Sequence, residues 1–249
     1  MNVTRGRKIN TLPALLFWGL LWQGLAMAID NPLLLPEPMQ VLRCMLGMMG
    51  TQAFWQITAV SIGRVLLGVV SAIVLAVLLG VLTAGVPLAD ILVAPAMTAM
   101  QATPVASFTI LVLIWLDRDW VPVLICVMMV LPVVWRSVHT GIRQTDPQLL
   151  EMGKVFRLTA ALMVKRIYVP SVLPFFRSAC VSALGLGWKA GIAAEVLTVP
   201  KSSIGRMISE SKLYLLTEEL FAWTLAVVIL SLLLQKWMLR LLNRRGEDA

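Results

Sequence analysis

The sequence has little charge. Only 14% of its 249 residues are Asp, Glu, Lys or Arg, against about 25% in a soluble domain, and its mean hydropathy is +0.86. Such a chain is not an ordinary soluble protein. It contains one histidine, His139, and three cysteines, Cys44, Cys126 and Cys180, set far apart. With no close-spaced cysteine pair, neither a zinc site nor a disulfide framework is expected. The sequence has no G-x-x-x-x-G-K-[ST] phosphate loop, so ATP would have to be used by a partner. It has no H-E-x-x-H and no nucleophile elbow. Neither an enzyme nor a cofactor is expected. Residues 11–116 and 120–242 show no convincing internal repeat, which secondary transporters often do.

What the sequence has is apolar length. At roughly 20 residues per membrane helix there is room for about five to seven spans. The hydrophobic runs predict about six, near residues 11–29, 60–84, 87–116, 120–138, 178–199 and 220–242. The first run has the flanks of a signal peptide, with Ala26-Met27-Ala28 as a cleavage site. It is longer than a signal core of about 7–15 residues and carries Trp18 and Trp22, which favours a retained helix. Pro36-Glu37-Pro38 opens a short helix from Met39 to Met49. The third run holds Pro95 and Pro104. A proline break inside a bilayer is tolerated only where protein or a water-lined cavity covers it.

The formal net charge of +8 is read as basic inner loops, not as nucleic-acid binding. Arg5, Arg7, Lys8, Arg136, Arg143, Lys154, Arg157, Lys165, Arg166, Arg177, Arg240, Arg244 and Arg245 would all lie on one side. Only Arg43, Arg118, Lys201, Arg206 and Lys212 fall in the opposite loops. This bias places both termini in the cytoplasm. Within the inner loop of residues 143–174, Asp146 is a helix cap and Pro147 suits the first helical position. Taken alone, the stretch reads equally as an ordinary surface helix with a solvated basic face.

The stretch from Glu151 to Pro170, EMGKVFRLTAALMVKRIYVP, resembles the loop of ATP-binding-cassette importer permeases. That loop has the form EAA, a glycine six residues after the Glu, then Ile-x-Leu-Pro. Ile167 and Pro170 stand sixteen and nineteen residues after Glu151, as in the pattern. Met152 and Gly153 replace the alanines, Arg157 the glycine and Val169 the leucine. Ser61-Ile62-Gly63-Arg64, QATPVASFTILVLIW around Pro104, Asp146 to Glu151 and WKAGIAAE from Trp188 to Glu195 look like the nitrate, sulfonate and taurine importer group.

The resemblance implies an all-α membrane protein, a type I importer permease bundle of about six transmembrane helices in a bacterial inner membrane. It divides the chain into an N-terminal tip, first helix and outer segment (1–54), a permease core (55–243) and a cytoplasmic tail (244–249). By similarity two copies form the pore, a cytoplasmic ATPase subunit supplies the motor and an extracytoplasmic binding protein delivers solute. Glu151, Met152, Gly153, Arg157, Ile167 and Pro170 would form the ATPase-coupling element. The alternative is a stand-alone secondary transporter or channel.

Lys189 and Glu195 fall within the fifth run, six residues and about 240° apart on a helix, so they do not share a face. Charges at that depth normally face a cavity or a partner. Lys189 either snorkels or lines the solute path and favours an anion such as a sulfonate, nitrate or carboxylate; Glu195 caps a nearby loop or joins that path. Gln101, Thr103 and Ser107 flank Pro104, where they satisfy the broken backbone or touch solute. Together with Trp188 these are the candidate pathway residues. Gly185, Gly187 and Gly191 suit close helix packing, within the chain or at a seam between copies.

Overall fold

The computed structural model describes residues 11–244. Residues Arg5, Arg7, Lys8, Arg245 and most of the 244–249 tail lie outside the described residues. Every regular element among the described residues is helical: α1 (Thr11–Ile29), α2 (Pro38–Met49), α3 (Gln52–Gly85), α4 (Pro87–Ala102), α5 (Val105–Val112), α6 (Val121–Arg143), α7 (Pro147–Val155), α8 (Ala160–Met163), a π-helical turn (Val164–Tyr168), α9 (Val169–Thr198), α10 (Ile204–Leu213) and α11 (Thr217–Arg244).

Four segments are long and apolar enough to cross a membrane: Gln52–Gly85, Val121–Arg143, Ala160–Thr198 and Thr217–Leu241. The third predicted run is a broken pair, α4 and α5, bent by 103°; counted as one span it makes a fifth. Pro95 is carried inside α4, and the break falls at Thr103-Pro104 instead. Proline supplies no N–H, so the ladder has no bond to continue there. α3 begins eight residues before the predicted edge at 60, because Thr51 caps it by accepting from the Phe54 N–H at 3.3 Å. The predicted short helix appears as α2, and its Val41 and Met45 pack against Ala222 of α11.

The core forms where α3, α6 and α9 run side by side, around Val65, Val69, Val130, Val134, Leu184 and Trp188. Glycine permits the close approach. A Cβ on Gly68 would lie 2.7 Å from the Val123 carbonyl oxygen, and one on Gly191 2.7 Å from Cys126 Sγ. Gly187 meets Val69 and Val130, and Gly185 meets Gln235 of α11. All three glycines of the fifth span therefore serve contacts within the chain. Trp22 ties α1 down: it donates its indole N–H to the Pro36 carbonyl at 3.1 Å and lies 5.8 Å from Phe221, centroid to centroid.

Candidate functional site

The inner loop folds as two pieces. α7 starts as its sequence requires, with the Asp146 carboxylate accepting from the Gln148 N–H at 2.8 Å and Pro147 in the first turn. It ends in a hydrogen-bonded reversal: the Leu158 N–H donates to Gly153 O at 3.0 Å and the Arg157 N–H to Lys154 O at 2.9 Å. This pair of bonds closes a helix through one left-handed residue. Arg157 is that residue, with φ of 52°. The position where the family pattern has glycine therefore needs a left-handed backbone, and Arg157 adopts it at a steric cost of about 1–2 kcal/mol.

The second piece runs through α8 and the π turn directly into α9, so α9 starts nine residues before the predicted edge at 178 and the continuous helical span eighteen. Pro170 explains the π turn. It has no N–H for the Arg166 carbonyl four residues back, and the Val169 N–H donates to Val164 O, one residue further than in an α-helix. α7 folds back onto this piece at Gly153, where a Cβ would lie 2.7 Å from Met163 Sδ and 3.0 Å from Ile167 Cδ1. Ile167 is buried there. Glu151, Met152 and Arg157 are exposed, as is Pro170. On the outer side of α7, Leu149, Met152, Val155 and Phe156 are also exposed, the last two by 79% and 71%. The loop thus presents an apolar ridge beside Glu151, with Gly153 and Ile167 as its seat.

The intramembrane candidates separate into two groups. Lys189 is exposed and lies on an uncovered stripe of α9 with Ser178, Ser182 and Ala193. Gln101, Pro104 and Ser107 are exposed at the break, while Thr103 is half-buried and donates its hydroxyl to Ala99 O at 2.7 Å. That bond satisfies a carbonyl freed by the break, so Thr103 serves the backbone. Trp188 is buried and donates its indole N–H to Val227 O at 3.1 Å. It braces α9 on α11 and faces away from the Lys189 stripe.

Glu195 is wholly buried. Its Oε2 accepts from Ser61 Oγ at 2.8 Å and from the Gly205 N–H at 3.2 Å, and Arg64 Nη1 stands 3.6 Å from Oε1. Gly205 is in the first turn of α10, so the carboxylate meets the positive end of that helix. A Cβ at Gly205 would collide with the Glu195 backbone, so only glycine lets α10 sit so close. Arg64 also donates to Asp119 Oδ1 at 2.7 Å and to Lys201 O at 2.8 Å. Glu195 thus accepts from the first turn of α10, ten residues along the chain. Its partner Ser61, 134 residues away, was not foreseeable from spacing.

A 480 Å³ cavity lies at the loop end, lined by Val81, Val138, Ile142, Val172 and Phe176 among other apolar groups. No charged residue lines it.

A bundle of long apolar helices, with a basic loop whose helix exposes an apolar ridge, is that of a multi-pass membrane protein. The chain belongs to the binding-protein-dependent transport system inner membrane component family, which residues 72–246 match. It is 25% identical to the taurine transport system permease protein TauC of Escherichia coli over 95% of this chain and 87% of that protein. It is 29% identical to the bicarbonate transport system permease protein CmpB of Synechocystis over 62% of this chain and 55% of that protein. It is 26% identical to the formylaminopyrimidine transport permease protein ThiX of Halalkalibacterium halodurans over 66% of each. The resemblance seen in Asp146–Pro170 and WKAGIAAE is borne out at the level of the importer permeases, and the family is a transport component of the inner membrane, not a class of enzyme.

Proposed function

We propose that the chain is one half of the pore of an ATP-driven importer for a small anion, with α7 as the helix that docks on a cytoplasmic ATPase subunit. The observation that carries this is the loop geometry: an apolar ridge at Leu149, Met152, Val155 and Phe156, exposed outside the spans and rigidly seated through Gly153 on Met163 and Ile167. An exposed apolar patch on a capped, anchored helix suits a protein groove. Glu151 and Arg157 flank that ridge and set its charge.

Six spans, counting α1 and the broken α4–α5 pair, with both termini cytoplasmic, agree with the charge bias of the loops. A second copy completes the pore, and a binding protein delivers solute at the α10 end. The Lys189 stripe lines the path with Gln101 and Ser107. A cation on a low-dielectric wall attracts an anion such as a sulfonate, carboxylate or bicarbonate. Closure of the ATPase subunits would draw two α7 helices together and turn the halves from inward-open to outward-open. Trp188 and Glu195 hold α9 to its neighbours during that motion.

The test is a pull-down of tagged chain from native membranes, assayed for ATPase activity, then repeated with Glu151→Ala. A co-purifying ATPase that is lost or uncoupled by the substitution supports the coupling role. A chain that purifies without any ATPase would put a stand-alone transporter in its place.

A further inference from the structure

A further cation within a span lies in α6. Arg136 is the one exposed residue between positions 121 and 142 of that helix. Its exposure follows from the packing around it. Over the far half of α6, α5 closes the surface, with Val112, Val121, Ile125, Ala190 and Ala194 in one cluster. At the loop end, α4 is tied to α6 by Asp90, 3.4 Å from His139 Nε2 and 3.7 Å from Arg143 Nη2. α4 and α9 share no extended contact among the described residues. Neither α5 nor a contact between α4 and α9 covers the loop-end half of α6 at Arg136.

Arg136 lies on that uncovered face. It is seven residues from Met129, hence on the same helix face, and Met129 lies beside Thr103 and Met100 at the break. Among the described residues no acid is within ion-pair distance of Arg136, whereas Arg143 and His139 share Asp90. The depth is set by Cys126, which donates to Gly187 O at 3.2 Å and touches Gly191, level with Lys189. Arg136 is ten residues further along, about 15 Å nearer the loop end. A free cation on a span normally faces water or a cavity.

We propose that Arg136 is a second anion-contacting residue of the solute path, receiving from Lys189 and handing on toward the cytoplasmic mouth. The inference rests on the permease reading above and assigns Arg136 a role other than that of an inner-loop charge. Two cations in sequence give the path its preference for anions, and the apolar loop-end cavity takes no part in it.

The test needs no knowledge of the solute. In the full-length chain with Cys44, Cys126 and Cys180 replaced by Ala, a single Val133→Cys is placed one turn from Arg136. Membrane vesicles are treated with sulfonatoethyl and with trimethylammonioethyl methanethiosulfonate. The expected result is labelling by both, with the anionic reagent about tenfold faster. Adding Arg136→Gln should bring the ratio close to unity, and Arg136→Lys should keep it. Absence of labelling would mean that Arg136 snorkels to lipid headgroups, and a ratio indifferent to Arg136→Gln would mean that it does not act on anions; either overturns the proposal. Misfolding is judged by whether Arg136→Lys restores the ratio. ATPase co-purification from the same vesicles is scored separately, so loss of the motor would refute the importer function while leaving the labelling result to decide Arg136.

Discussion

Two charges six residues apart on α9 have opposite fates. Glu195 is wholly buried, accepts two hydrogen bonds and faces Arg64. Lys189 is exposed on a stripe of small and polar residues and has no ion pair among the described residues. A charge in an apolar span must be compensated by protein or by water. Glu195 has the first kind of compensation and holds three segments together: α3 through Ser61, α10 through Gly205 and, by way of Arg64, the turn at Asp119. Lys189 is left to the second kind, and that difference separates an architectural charge from one available to solute. The exposed face of α3 makes the same point from the lipid side, since its Leu67, Val70, Val74, Leu78 and Val81 are all aliphatic.

The largest effect is expected from Glu195→Ala, which leaves Arg64 and the start of α10 without their anion. Breaking a buried pair from one side costs about 3–5 kcal/mol, to be read as a drop in the unfolding midpoint of the purified protein. Val74→Lys places a cation on the aliphatic face of α3. It should reduce insertion by about 2.5–3.5 kcal/mol, measured as the inserted fraction in a translocation assay. A tolerated lysine at Val74 would mean that α3 does not face lipid. Arg157→Gly relieves the left-handed strain and should steady the loop by about 1 kcal/mol, visible as slower proteolysis between α7 and α8. Lys189→Leu should change stability least, within about 0.5 kcal/mol, read as the unfolding midpoint of the purified protein. Loss of stability comparable to Glu195→Ala would show that Lys189 is architectural after all.

Much of the site was legible from local chemistry. Asp146 and Pro147 open α7 as their residue types demand, and Ile167 and Pro170 fall at the matching points of the loop pattern. The strained turn at Arg157 was marked only as a departure from glycine. Its φ of 52° gives the reason: the position needs a left-handed backbone whichever residue occupies it. Arg136 was counted with the inner-loop charges because composition weighs a charge by its place along the chain, not by the helix face it occupies. The early starts of α3 and α9 were missed because the first eight residues of α3 interleave Gln52, Gln56 and Thr58 with apolar groups, and the first nine of α9 hold Pro170, Pro174 and Arg177, which read as breaks in an apolar run.

The sequence by itself determined a helical membrane subunit, the rough place of its long apolar runs, and a capped helix in a basic loop. These follow from hydropathy, capping and proline chemistry, which act over a few neighbouring residues. Only the tertiary structure decided which charges are buried and which are free. The partners of Glu195 come from positions 61, 64 and 205, and Arg136 is exposed where the α5 packing that covers the other half of α6 does not reach. Neither the compensation of a charge nor the exposure of a helix face is a local property: each depends on residues that only the packing of distant helices brings within a few ångströms.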